Sequence, residues 1–294
     1  MAQAIVLGLV TGSIYGLFAL GVVLVYRGSG ALNFAQGEIG TAALFAAWWI
    51  STERGAPWIV GAFGAIAFAV LIGLAFERLI VRRMVQAGRV AVTIATVGLL
   101  SFLVAGEFQL LSATPRSVRA PISGIGIEIF DAFVSPTQML GIGVTIVLAV
   151  ALALFLRQTD FGLGVLAASE DPVTVRLVGV RVSRVSAFVW GTGAGLGAIA
   201  ALLIEPTIGV FTPGFGSSNL FLRGLAAAVV GGLTSLPGAV VGGLVVGLLE
   251  QVSGHLFIDV QLPGVRTLAV FVLVLVTLLL RPGGFFARRE GRVA

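Results

Sequence analysis

The chain has no cysteine, no lysine, a single histidine and only 11% charged residues over 294 positions. Each shortage excludes something. Without cysteine there are neither disulfides nor thiolate metal sites. Without lysine there is no Walker A loop, whose lysine must reach the β/γ-phosphates, so the chain is no conventional P-loop ATPase. Soluble domains run at about 25% charged residues. Here the deficit accompanies 58% hydrophobic residues and a mean hydropathy of +1.10. The reading is an all-α polytopic membrane protein, with residues 1–294 forming one transmembrane domain. One histidine, His255, lies near Glu250 and Asp259 in an outer segment; without cysteine partners it reads as a solvated interfacial residue, and no metal site is expected. No basic stretch precedes the first apolar run, so a cleaved signal peptide is not expected.

The net charge of +5 comes from 18 arginines against 13 acids. The arginines sit at the ends of apolar runs, which is orientation chemistry rather than a nucleic-acid-binding face. Eight or nine spans are predicted, near 3–26, 38–52, 57–77, 90–112, 136–156, 185–204, 219–234, 236–253 and 264–281. The second, seventh and eighth are short and rich in Gly or Ala, as re-entrant or broken helices are. With 157–184 placed on the cytoplasmic side, thirteen arginines fall inside (Arg27, Arg78, Arg82, Arg83, Arg89, Arg157, Arg176, Arg181, Arg184, Arg281, Arg288, Arg289, Arg292) and five outside (Arg54, Arg116, Arg119, Arg223, Arg266). That asymmetry puts the C-terminus in the cytoplasm and, with nine spans, the N-terminus outside.

Several stretches carry chemistry. Gly8, Gly12 and Gly16 recur every fourth residue and share one helix face, where small residues let two backbones approach; a smooth substrate path along that face is the other reading. Asn33-Phe34-Ala35-Gln36-Gly37-Glu38 sets two amides and a carboxylate at a membrane edge. They serve either as a helix cap or as part of a path or gate. Glu107 falls late in the fourth span, and 113–135 reads as a small extracytoplasmic hairpin. Gly191, Gly193, Gly195 and Gly197 weaken the sixth span by about 1 kcal/mol each relative to Ala, inviting close packing or a hinge. Glu205-Pro206 ends that span, and 208–219 then has a loop or broken-helix signature. Ser235 and Pro237 turn the chain between two helices lined by Gly238 and Gly242. Between the fifth and sixth spans, 28 residues from Arg157 to Arg184 mix apolar positions with charges, as amphipathic helices docked at a membrane surface do.

Three of these stretches resemble the permeases of branched-chain amino acid ABC importers: 12–38 with its G-S-x-Y and N-F-A-x-G-E elements, 167–190, and 228–250, followed by the closing Arg281-Pro282-Gly283-Gly284. The family's usual histidine in N-F-A-H-G-E is Gln36 here. The resemblance implies a permease in the bacterial inner membrane that works by alternating access. Its partners would be a second permease, identical or related, two cytoplasmic ATPases that carry the ATP and Mg, and an extracytoplasmic solute-binding protein. The chain itself would bind no cofactor and catalyse nothing. Glu170, Asp171, Val173, Arg176, Leu177 and Gly179 would then form the coupling element, with Val175 and Val178 adding to its apolar face. Asn33, Gln36, Gly37, Glu38, Gly12 and Tyr15 are the candidates for the path or gate. Gly8, Gly16, Gly193, Gly197, Gly238 and Gly242 are those for packing or hinging. Relatives handling urea, short amides or small carboxylates leave a wider substrate range open. An ion-coupled carrier or channel is the rival from another class. It is disfavoured because nearly every acid falls at a predicted span end.

Overall fold

A computed structural model of the chain describes residues 1–84, 87–118, 122, 126–129, 132–171, 174–177, 179–257 and 264–286. Among the described residues, six helices are long and apolar enough to cross a membrane: α1 (Ala2–Ser29), α3 (Trp58–Leu79), α4 (Gly88–Leu111), α5 (Pro136–Gln158), α8 (Val182–Ile208) and α10 (Leu236–Leu256). Shorter helices complete the set: α2 (Gln36–Trp48), α6 (Asp160–Glu170), α7 (Thr174–Leu177), α9 (Leu222–Gly231) and α11 (Val265–Leu280). A hairpin of β1 (Ile127–Ile129) and β2 (Ala132–Val134) pairs Ile127 with Val134, within the stretch expected to form one. Of the three segments expected to be short, the second and seventh are. The eighth is a full helix of 21 residues, because Ser235 caps it and Pro237 starts its first turn.

The first helix is the mast of the molecule. It is apolar all round, as a helix surrounded by lipid or by protein is; here protein surrounds it, and every residue from Val10 to Val25 is buried. Its glycine face meets α10. A Cβ at Gly8 would lie 2.8 Å from the Leu248 Cα, one at Gly12 would lie 2.8 Å from the Gly243 carbonyl, and one at Gly16 would lie 3.1 Å from the Val240 Cα. From the other side, a Cβ at Gly243 or Gly247 would overlap the backbone of Gly16 or Gly12. Backbone thus lies close to backbone along the crossing, which the glycines of α1, met by Gly243 and Gly247 of α10 at its centre, permit.

The glycines of α8 divide among three neighbours, α1, α2 and α3. Gly193 and Gly197 face Val25 and Gln36, whereas Gly191 and Gly195 face Leu74 and Val70 of α3. Trp190 stacks on Phe76 beside them, centroids 5.3 Å apart. The helix does not stop at Glu205-Pro206. Proline removes one amide without ending the last turn, and Gly209 closes it at φ 91°.

By contrast, Gly98 and Gly106 of α4 have open space where a Cβ would go. Gly98→Ala should therefore stabilise the isolated subunit by roughly 0.5–1 kcal/mol through helix propensity alone. A melting curve in detergent checks this, and a lowered midpoint would count against it. Large apolar side chains cover the outer surfaces of α3, α4 and α11, with Phe63 at 70%, Phe102 at 73% and Leu279 at 81% exposure. Such surfaces suit lipid.

Candidate translocation path and coupling surface

The two faces of the molecule are fixed by the ends of α1. At one, the Met1 amino group lies 3.2 Å from His255 Nε2 at the end of α10. At the other, Arg27 donates to the Ser169 hydroxyl at 3.4 Å. His255 therefore pairs with the N-terminus rather than with Glu250, and Asp259 lies outside the described residues.

On the Arg27 face, Thr159 caps α6 by accepting from the Gly162 amide at 3.0 Å. A Cβ at Gly162 would run into the Phe155 carbonyl, so glycine is what lets α6 fold back under α5. Asp171 then caps α7, accepting from the Thr174 amide at 3.2 Å and from its hydroxyl. Gly179 ends the element at φ 90°, where its amide reaches the Arg176 carbonyl at 3.1 Å. Within this short helix Val175 turns inward and is buried, so it does not belong to an outer apolar face. Leu177 stands 84% exposed beside the exposed Arg176. Val173 and Val178 lie outside the described residues. Glu170 closes α6 and lines a cavity of about 200 Å³ together with Arg27, Arg157, Thr234, Ser235 and Phe286.

A second constellation lies inside. After Gly30, residues 30–35 turn back along α1, and the Gln36 Nε2 donates to the Phe18 carbonyl at 3.1 Å. Phe18 is about 16 Å from the Ser29 end of α1 by helical rise, so α2 begins deep in the interior. There it meets the stretch that follows α8. Gly37 and Gly216 touch backbone to backbone, and side chains from α2 and α4 hold the amides of Gly214, Gly216 and Ser217. Glu107 accepts from Gly214 at 3.4 Å, Thr41 from Gly216 at 2.8 Å, and Glu38 from Ser217 at 2.7 Å. Oxygen acceptors are what the first amides of a helix need. Five-residue π-turns, Trp49–Glu53 after α2 and Ser217–Phe221 before α9, give both segments the same irregular character. Asn33 accepts from the Ala35 amide at 3.1 Å. Gly37 and Glu38 are thus at the junction, and Gln36 and Asn33 border it. Gly12 belongs instead to the glycine seam with α10.

Tyr15 belongs to a third group. Its hydroxyl donates to Glu250 Oε2 at 2.8 Å, while Arg223 Nε donates to Glu250 Oε1 at 2.6 Å. Arg223 Nη1 also donates to the carbonyls of Ser218 and Asn219, at 2.8 and 3.2 Å. Sequence reasoning placed Arg223 and Glu250 at outer span ends. In the structure Glu250 is buried, six residues or about 9 Å short of the end of α10. Glu38, Glu107 and Glu205 are buried too. These three fall within about a turn of the ends of α2, α4 and α8, near helix ends as expected, but they are buried rather than in water, and Glu250 lies deeper in its helix. These acids accept from backbone amides or from Arg223 and Tyr15, and Glu205 takes the Val118 amide at 3.1 Å. A carboxylate inside an apolar run was the signal available for Glu250.

Comparison with known proteins decides the class. The family model for the permease component of the branched-chain amino acid transport system matches residues 4–280. The chain belongs to that family. It is 31% identical to the high-affinity branched-chain amino acid permease LivH of Salmonella typhimurium, over 96% of this chain and 94% of that one. It is 32% identical to BraD of Pseudomonas aeruginosa, over 98% and 96%. Among solved structures, PsaBC from Streptococcus pneumoniae in complex with Fab shares the fold, with a TM-score of 0.51 at 15% identity over 92% of this chain and 90% of that one. The chain is a multi-pass membrane permease, an all-α transport subunit.

Proposed function

We propose that this chain forms part of the path by which an ATP-driven importer carries branched-chain amino acids across the bacterial inner membrane. The observation that carries the reading is the family match over residues 4–280. It is supported by relatives of nearly the same length named for branched-chain amino acids. A second permease of this fold completes the path, two ATPases holding ATP and Mg dock on the Arg27 face, and a solute-binding protein delivers substrate to the Met1 face. The C-terminus is then cytoplasmic, and residues 157–184 are the coupling segment. The exposed Leu177 supports this placement, since a lone large apolar side chain beside Arg176 is suited to a groove on a soluble partner.

The test is uptake of labelled leucine into vesicles holding the permease pair, with the ATPases and binding protein present or omitted. Uptake is expected only with ATP and all partners. Uptake that follows an ion gradient and ignores ATP would sink the reading. Leu177→Asp is expected to cut co-purification of the ATPases severely, because burying a carboxylate in an apolar groove costs several kcal/mol, while membrane insertion is unchanged. Undiminished co-purification would move the docking surface elsewhere.

A further inference from the structure

We infer that Arg116 is the latch of an outer gate, whose bridge to Phe211 closes the Met1 end of the path and parts to admit substrate. This rests on the reading just given, in which substrate enters from that face. α4 starts beside the Arg27 end of α1, where Thr93 and Thr96 accept from the Leu32 and Phe34 amides at 3.3 and 3.1 Å. Leu111 lies 15 residues beyond Thr96, about 22 Å by helical rise, so the residues after α4 are on the Met1 face. There the Arg116 amide donates to the Phe211 carbonyl at 3.0 Å, and the Phe211 amide donates back at 2.7 Å. This antiparallel bridge joins the segment after α4 to the stretch after α8. The guanidinium carbon lies 4.1 Å from the centre of the Trp48 ring and 5.5 Å from that of Phe45, both late in α2. Its Nη2 donates at 2.6 Å to the Leu111 carbonyl, one of the last carbonyls that α4 leaves open. One residue thus ties together the outer ends of α2 and α4 and the chain that leaves α8.

What the bridge closes follows from Phe211. Its ring is buried, edge-on to Phe45 at 4.9 Å and to Phe215 at 6.4 Å. A few residues further lie Gly214, Gly216 and Ser217, whose amides are held by Glu107, Thr41 and Glu38. The bridge is therefore the outer end of the same irregular stretch that forms the internal junction, and transporters place such backbone against a path. Drawing Arg116 outward pulls on Phe211, loosens the aromatic plug and slackens the turn below it.

The closed arrangement is held lightly. The bridge has two hydrogen bonds and no ladder beside it among the described residues. Ser112, Ala113, Thr114, Pro115 and Ser117 are all exposed, and the Val118 amide adds one bond to Glu205 at 3.1 Å. A segment tied by so few contacts opens at low cost. Arg116 Nη1 is buried with no hydrogen-bond partner among the described residues, which raises the free energy of the closed state. The guanidinium is held in part by ring faces, and it can slide off them without breaking an ion pair. The exposed segment around it gives a protein arriving at the Met1 face something to press on.

The experiment uses the complete importer in proteoliposomes, with labelled leucine as the probe and ATP hydrolysis measured in parallel. Ser117→Cys/Val210→Cys puts thiols on the exposed neighbours of the bridge and leaves Arg116 and Phe211 intact. Residues facing each other across antiparallel chains lie about 4.5–5.5 Å apart, so a short reducible thiol–thiol reagent spans them. The reagent should link the two sites in the resting importer and cut uptake about tenfold or more, as a lid held shut does, and reductant should restore it. Each single-cysteine variant, treated alike, is the control and transports normally. Arg116→Gln, which loses the ring contacts, should raise ATP hydrolysis without binding protein about threefold by shifting the gate toward its open state. A merely structural arginine predicts a lower melting temperature with no such rise, and that result overturns the inference. So does full uptake by the linked importer, or thiols that cannot be linked at rest. Failure of the unaltered importer to take up leucine with ATP overturns the earlier reading and this one with it. Wild-type uptake beside an indifferent link overturns this one alone.

Discussion

Replacing Gly243 with leucine is expected to leave no folded permease. A Cβ at this position already overlaps the amide nitrogen and Cα of Gly16 and the carbonyl of Gly12. Those are backbone atoms of a helix buried throughout its middle, so no side chain can swing aside. Overpacking a core costs typically 1–3 kcal/mol where side chains can adjust; here α1 and α10 must separate along their whole crossing, and the cost exceeds that range. Gly243→Ala, one methyl, should already lower the melting temperature, and Gly243→Leu should give aggregate or degraded protein on size-exclusion chromatography. Gly98→Ala serves as the control, being a glycine of the same membrane domain with nothing near its Cβ position. A monodisperse Gly243→Leu variant with wild-type melting would mean that the seam is not as close as described.

That seam also shows how far the sequence could be read. Spacing by four put Gly8, Gly12 and Gly16 on one face, but nothing in the spacing named the partner. Gly243 and Gly247 lie at the far end of the chain, and pairing them with α1 is a tertiary event. Local devices were more legible. Ser235 with Pro237 marked the turn into α10, and Gly179, given as part of the coupling element, closes a turn at φ 90°. Both depend on neighbours within a few residues, which is the range over which caps and turns act. The buried acids were less legible for the same reason. Glu38 meets an amide 179 residues away, and Glu250 meets Tyr15 across 235 residues. Hydropathy registers a carboxylate in an apolar run as a cost and cannot show the donor that offsets it. Gln36 stands where the family's histidine is expected. It fits because its Nε2 reaches the Phe18 carbonyl and its stem packs on Gly197. A neutral donor is all this position uses in the structure.

Removing the carboxyl group of Glu38 is expected to disable transport at the junction of the two irregular segments. Glu38 is fully buried, and its Oε1 is the acceptor for the Ser217 amide at 2.7 Å, next to the Gly216 amide held by Thr41. In Glu38→Ala that amide loses its partner in a place water does not easily reach, at about 1–3 kcal/mol. Thr41→Val, which keeps the volume and removes the hydroxyl, should cost a similar amount, and the two should not simply add because both hold the same turn. The uptake loss for Glu38→Ala is expected to reach about tenfold, matching the factor that 1.4 kcal/mol represents if the turn must be held in one of the two access states. Glu38→Gln separates the reasons for it. An amide oxygen can still accept from Ser217 while the charge is gone, so if the carboxylate acts as a cap the glutamine variant keeps most uptake and nearly all thermal stability. If instead the charge matters, as it would in an ion-coupled carrier, glutamine fails as badly as alanine. ATP-driven uptake and melting midpoints for the three variants decide between a latch made of hydrogen bonds and one made of charge.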